Sequence, residues 1–178
     1  MRLFLILLYF LPSVALANDW DAFKQDGAIA IMRHALAPGT GDPLAFELGD
    51  CSTQRNLDDR GRAQAGSIGA AFEKRGIRFE TVFTSQWCRT RETADLLDLG
   101  PVVEAPSLNS FFRDRSTRET QTKETRRLIS KAAGRLMLVT HQVNISALTG
   151  QTTRSGEVLV IRIVDGGIEV LGRVLIDP

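Results

Sequence analysis

Two apolar runs, each closed by a histidine, constrain this chain more than any other feature. The first is Ala28-Ile29-Ala30-Ile31-Met32, running into Arg33-His34-Ala35. The second is Arg135-Leu136-Met137-Leu138-Val139-Thr140, running into His141-Gln142. Short runs of small and branched apolar residues are the pattern of strands buried on both faces. A polar side chain at the carboxyl end of such a strand stands at the rim of the sheet, where open α/β sheets bind ligands. The sequence contains two histidines in all, and both fall at such a rim. The competing reading, two structural histidines capping strand ends, carries less weight, because polar groups that converge at strand ends more often belong to a site.

The residue types suit anion chemistry. Arg33 offers a permanently charged planar fork for phosphate oxygens. Neutral imidazole, as His34 would be near neutral pH, is a nucleophile. After His34, the stretch Leu36-Ala37-Pro38-Gly39-Thr40-Gly41-Asp42-Pro43 reads as a loop. Its backbone N–H groups and Thr40 can approach an anion, although it lacks the spacing of a nucleotide P-loop. The loop continues past Phe46 to Gln54, a length common in functional loops.

The amino-terminal residues read as an export leader. Met1-Arg2 is a basic start, Leu3 to Leu11 an apolar core, and Ala15-Leu16-Ala17 a small-x-small cleavage site. Residues 1–17 are therefore expected to be a signal peptide and residues 18–178 a single domain, periplasmic or secreted, with no transmembrane segment. Loss of Arg2 takes the formal net charge from +1 to zero, which argues against nucleic acid and against a strongly basic membrane-binding surface. Cys51 and Cys88 both lie in the exported part. Oxidising surroundings favour a Cys51–Cys88 disulfide over two free buried thiols, and the bridge would staple the first loop to the neighbourhood of Arg89. No close Cys or His spacing supports zinc, so no metal site is assigned.

Along the rest of the chain, Trp20 and Phe23 are expected to anchor a short lead-in. Asp58 is placed as the cap of a helix over 59–75 that stops at Gly76. Ala63, Ile68, Ala71 and Phe72 are expected on its packing face, with Gly66, Gly69 and Ala70 allowing close approach. Phe79 to Thr84 reads as a strand and Cys88 to Leu97 as a helix. Arg89 then lies in the first turn, at an end of the helix that favours anions, and Arg91 reads as a surface side chain. Val102-Val103 is a short strand, and Leu108 to Phe112 is irregular, with Phe111 and Phe112 filling core or shaping a pocket. The charged stretch 117–133 reads as a largely solvated helix. Asn144 to Leu148 is helical, ending at Gly150. Strands over 157–164 and 168–175 flank a turn at Asp165-Gly166-Gly167. Alternating strands and helices imply α/β layering, and the final hairpin makes the sheet mixed.

Four segments, in order, carry a family resemblance. They are Met32-Arg33-His34-Ala35; Asn56-Leu57 with Gly61-Arg62-Ala63-Gln64-Ala65; Thr84-Ser85 with Arg89 and Thr93-Ala94; and Val139-Thr140-His141. On these the chain resembles the histidine phosphatase superfamily, also called phosphoglycerate mutase-like, in its first branch. Ala35 and Gln142 stand where that family usually has glycine. The resemblance implies a three-layer α/β/α sandwich with a mixed, mostly parallel sheet. It implies His34 as a nucleophile that forms a phosphohistidine, and Arg33, Arg89 and His141 as holders of the phosphoryl oxygens, with Thr40 assisting. It implies no cofactor, and a small phosphorylated substrate as partner; oligomeric state and association with an envelope partner are left open. In-line phosphoryl transfer needs positioning and cationic charge on the equatorial oxygens, which two arginines and a histidine supply.

One part of the pattern is missing. The family's usual acid, a glutamate after Leu-Asn, is replaced here in Leu108-Asn109-Ser110. A missing acid costs roughly two to four orders of magnitude where the leaving group needs a proton. Asp42, Asp114 and Glu119 are the candidates to replace it. A labile substrate such as a phosphoramidate, of the kind phosphohistidine phosphatases of the family handle without that acid, would need none. The expected function is an exported phosphatase acting on a phosphomonoester or a labile phosphoryl compound. The alternative is a non-catalytic phosphate-binding module of the same fold.

Overall fold

The computed structural model describes residues 18–165 and 167–176. The expected signal peptide, residues 1–17, and Gly166 of the expected turn lie outside the described residues.

The two histidine-terminated runs form the centre of a six-stranded sheet. They are β1 (Ile29–Arg33) and β4 (Leu136–Thr140). Around them lie β2 (Thr81–Thr84), β3 (Val102–Glu104), β5 (Val158–Val164) and β6 (Gly167–Val174). The order across the sheet is β3-β2-β4-β1-β5-β6. The first four strands are mutually parallel, whereas β5 is antiparallel to β1 and β6 to β5. Ile31 is opposite Leu138 on one side and Leu159 on the other, and all three are fully buried. The apolar run in the sequence thus corresponds to a strand with neighbours at both edges and cover on both faces.

Alternate strand residues feed two cores. Ala30, Met32, Met137, Val139 and Val160 pack with Ile68 and Phe72 of α1 (Asp59–Glu73) and with Ala94 and Leu97 of α2 (Cys88–Leu97). Ile29, Ile31, Leu136, Leu138 and Leu159 pack on the opposite face. There they meet Ile129 of α3 (Arg118–Lys131) and Ile145 and Leu148 of α4 (Gln142–Thr149). The result is the expected three-layer arrangement. Phe23 is buried and Trp20 partly so, both against Phe72.

The Asp58 carboxylate accepts from the Gly61 N–H at 2.8 Å, capping α1 as expected. The packing face differs from expectation. Gly61, Gln64, Ala65, Ile68, Gly69 and Phe72 are buried, while Ala63, Gly66 and Ala70 are exposed and Ala71 is half-buried. The helical period extends back from Phe72 through 68 and 64/65 to 61. A glutamine and a glycine lie on that stripe, which is why reading apolar residues alone mislocated it. Gly61 and Gly69 are the close approaches. A β-carbon would stand 1.9 Å from the Leu36 carbonyl oxygen at Gly61 and 2.2 Å from that of Leu97 at Gly69.

Candidate active site

The carboxyl ends of β1 and β4 open onto one cavity of about 360 Å³. Arg33 and His34 arrive from β1, and the His34 N–H donates to the Thr140 carbonyl of β4 at 3.0 Å. His141 caps the start of α4. Arg89 reaches in from the first turn of α2 and is buried. Thr40 and Asp42 come from the loop after β1. The expected residues His34, His141, Arg33, Arg89 and Thr40 all line this one space.

Hydrogen bonds set the state of both imidazoles. His34 Nδ1 lies 2.7 Å from the Ala35 carbonyl oxygen, so it carries the proton and donates. Nε2 is left with its lone pair, and Arg89 Nε donates to it at 3.2 Å. At His141 the sense is reversed. Nδ1 faces Arg89 Nη2 at 3.4 Å and accepts, so Nε2 carries the proton and donates to Ser85 Oγ at 2.9 Å. Ser85 Oγ in turn donates to Asn109 Oδ1 at 3.2 Å. Burial, reinforced by the charge of Arg89, holds both histidines well below the usual histidine range. Both are therefore neutral at neutral pH.

The nucleophile's peptide is clamped. The Ala35 N–H donates to Thr93 Oγ1 at 3.1 Å, and the Leu36 N–H to Gln64 Oε1 at 2.9 Å. Gln64 also donates to the Ser155 carbonyl at 3.1 Å. Thr93 and Gln64 both lie in the family-like segments of the sequence, and they hold His34 in place through its neighbours.

Arg55 is the residue the sequence reading missed. It lines the cavity, donates from Nε to the Gly41 carbonyl at 2.7 Å, and also donates to the Ala37 carbonyl. It thereby shapes the loop that carries Thr40, in which Gly39 and Gly41 adopt φ of +91° and +73°. Burial and the Arg89 charge lower its pKa to about 10, so it remains cationic at neutral pH. A loop arginine has no periodicity to betray it. The available signal is its place four residues after Cys51, the cysteine expected to bridge to Cys88. That bridge, Cys51–Cys88, is present, and the Cys88 N–H also donates to Gln54 Oε1 at 3.0 Å.

Arg33 is half-buried, and its Nε is buried with no hydrogen-bond partner among the described residues. Four guanidinium groups, Arg33, Arg55, Arg89 and the exposed Arg115, line the cavity with one carboxylate among the described residues, Asp42. The excess positive charge suits an oxyanion such as a phosphoryl group. Of the three candidate acids, only Asp42 lines the cavity. Asp114 instead accepts from the Ser116 N–H at 2.9 Å on the surface, and Glu119 lies exposed on α3 away from the cavity. Ser110 lines the cavity, as does Phe112, which is half-exposed while Phe111 is buried. Arg91 pairs with Glu104 at 3.3 Å outside the cavity, as a surface side chain should.

Fold and site together define an α/β protein whose two histidines and four arginines line one cavity suited to an oxyanion. Residues 29–131 match the family model of the histidine phosphatase superfamily (branch 1), and the chain belongs to that family. Over 80 residues it is 30% identical to the mitochondrial serine/threonine-protein phosphatase Pgam5 of Drosophila virilis. That match takes in 45% of this chain and 27% of that protein, so the chain spans about a quarter of the relative's length. Among solved structures it is similar to the putative phosphohistidine phosphatase SixA from Agrobacterium tumefaciens. The TM-score is 0.59 at 16% identity, covering 84% of this chain and 98% of that one. Its likeness to phosphoglycerate mutase from Thermus thermophilus has a TM-score of 0.60 at 18% identity, covering 84% and 99%. At these identities the solved structures speak to the fold, which is that of the phosphoglycerate mutase-like family. Among the described residues, no helix is long and apolar enough to cross a membrane.

Proposed function

We propose that this chain is an exported phosphatase that hydrolyses a phosphomonoester or a labile phosphoryl compound through a phosphohistidine on His34. The observation that carries this reading is the hydrogen-bonded state of His34. Nδ1–H is held by the Ala35 carbonyl and Nε2 presents a lone pair into a cationic cavity. In the first step Nε2 bonds to phosphorus and the bond to the leaving group breaks. Arg33, Arg55 and Arg89 bear the equatorial oxygens, where the transition state spreads its charge; His141 joins them once its proton moves to Nδ1, with Ser85 Oγ then donating to Nε2. Arg89 Nε must pass its hydrogen bond from His34 to a phosphoryl oxygen as this occurs. In the second step water attacks phosphorus and the P–N bond breaks, which releases phosphate and restores Nε2.

The Cys51–Cys88 disulfide supports export, since such bridges persist in oxidising compartments. On this reading residues 1–17 are a removed signal peptide, and residues 18–178 act in the periplasm or outside the cell. Ser110, standing on the cavity wall where an acid was expected, favours a second reading, a module that binds phosphate without turnover. One experiment separates the two. Wild type should hydrolyse p-nitrophenyl phosphate or acetyl phosphate, and His34→Ala should not, while still binding vanadate. Equal turnover by His34→Ala overturns the mechanism, and vanadate binding with no wild-type turnover on either substrate favours the module.

A further inference from the structure

The cavity's one carboxylate among the described residues holds the donors that a phosphoryl group would use. Asp42 Oδ1 accepts from Arg89 Nη1 at 2.6 Å, and Oδ2 from Arg89 Nη2 at 3.2 Å. Trp87 Nε1 donates to Oδ2 at 3.1 Å, and the Arg55 N–H to Oδ1 at 3.3 Å. The side chain is 14% exposed. Arg89 meets His34 through Nε and Asp42 through its Nη1–Nη2 edge, so the two residues hold different edges of one guanidinium. In an in-line displacement the leaving oxygen departs on the side of phosphorus away from the attacking nitrogen. Asp42 lines the cavity that must hold that leaving oxygen, whereas Asp114 and Glu119 do not.

We propose that Asp42 is the proton donor to the leaving group, and that substrate binding itself converts it from anion to acid. The proposal rests on the phosphohistidine reading above. With the cavity free of substrate, Asp42 acts as an internal stand-in for the phosphoryl anion. Burial alone would raise its pKa, but the hydrogen bonds and charge of Arg89 outweigh this and keep the carboxyl ionised. The charged groups facing it are Arg89 of α2 and Arg55 of the preceding loop, with the indole N–H of Trp87 alongside. When a phosphoryl group takes the Nη donors, Asp42 loses its counter-charge and gains an anionic neighbour. Both changes favour the protonated form, and the carboxylate takes up one proton from solvent as substrate binds.

The cycle then balances. As the Nε2–P bond forms and the P–O ester bond breaks, the Asp42 proton passes to the leaving oxygen. In the second half, the Asp42 carboxylate takes a proton from water while the water oxygen bonds to phosphorus and the P–Nε2 bond breaks. Asp42 is left protonated beside the product phosphate. When phosphate departs, Arg89 recaptures the carboxylate and the proton goes to solvent. A single residue thus supplies both the competing anion of the resting site and the acid that Ser110 cannot provide.

The test compares wild type with Asp42→Asn over aryl phosphates whose leaving groups run from p-nitrophenol to phenol, with inorganic phosphate binding measured in parallel. The expected loss in kcat/KM is roughly 10²- to 10⁴-fold for phenyl phosphate but less than about tenfold for p-nitrophenyl phosphate, whose leaving group needs little protonation. Asp42→Asn should also bind inorganic phosphate about tenfold more tightly or better, since a charged hydrogen-bond competitor is gone; that binding also establishes that the variant site is folded. A loss of the same size across the series overturns the proposal and makes Asp42 a positioning residue for Arg89. An unchanged profile overturns it too. Wild type that forms no phosphohistidine refutes the parent reading and this one together. Wild type that forms it, with equal leaving-group dependence in both proteins, refutes the acid alone.

Discussion

Arg89 Nε donates to His34 Nε2 across 3.2 Å, so a buried guanidinium lies directly on the imidazole's lone pair. That contact does two things in the resting enzyme. It fixes the imidazole's orientation, and with burial it keeps His34 unprotonated. The same guanidinium touches His141, Asp42 and the Arg55 carbonyl, so the site is organised around it.

Replacing Arg89 should therefore cost more than one phosphate contact. Arg89→Lys keeps the charge but loses the planar fork that reaches both histidines and Asp42. Its kcat/KM should fall by about 10²-fold or more, the scale seen when one preorganised donor is removed, and its vanadate affinity should fall with it. Steady-state kinetics and vanadate titration check this, and wild-type values in both would move Arg89 out of the site.

The pH dependence follows from the two depressed histidines. Neutral His34 is the working form, and its pKa lies below the ordinary value near 6.5. Activity should persist as pH falls through the usual histidine range and be lost only below it. Stability should behave differently. Above pH 6.5 both folded and unfolded histidines are neutral; below it the unfolded chain takes up protons that the folded one refuses, so stability falls as pH falls. Urea unfolding at pH 7.5 and pH 5.5, beside a pH–rate profile, should show stability declining before the chemistry does.

Glycines in α1 should separate by what stands over them. Gly61→Ala drives a β-carbon into the Leu36 carbonyl. It should destabilise the fold by roughly 1–3 kcal/mol and lower kcat, because Leu36 adjoins the clamped peptide of His34. Gly69→Ala meets the Leu97 carbonyl and should cost similar stability, without a comparable effect on kcat for the folded enzyme. Gly66 is exposed with nothing within 4 Å, so Gly66→Ala should gain about 0.5–1 kcal/mol. Thermal unfolding of the three variants gives the ordering.

The disulfide spans 37 residues of sequence. Loop-closure entropy for a loop of that size is worth about 4 kcal/mol. Cys51→Ser/Cys88→Ser should unfold at a temperature lower by roughly 8–16 °C. Mass spectrometry of wild type without reductant should find the bridge closed; two free thiols in exported protein would contradict it.

Much of this architecture is legible in the sequence because burial on both faces leaves an unbroken apolar run, as in β1 and β4. The bounds of α2 are likewise readable from Cys88 to Leu97. Legibility fails where periodicity does. Arg55 sits in a loop whose shape comes from its own bonds to the Ala37 and Gly41 carbonyls, a relation no pattern encodes. Ala63 looked like a core residue by type, whereas Gln64 is buried because its amide joins Leu36 to Ser155. Asp42, Asp114 and Glu119 were indistinguishable as letters; three-dimensional placement alone put Asp42 on Arg89.

The central claim is covalent chemistry at His34. Purified mature protein, mixed rapidly with 32P-labelled acetyl phosphate and quenched in base, should carry label that is stable to alkali, released by acid, and mapped by peptide sequencing to His34. His34→Ala should carry none. Label on another residue, or steady turnover with no phosphohistidine at any time, would contradict the account.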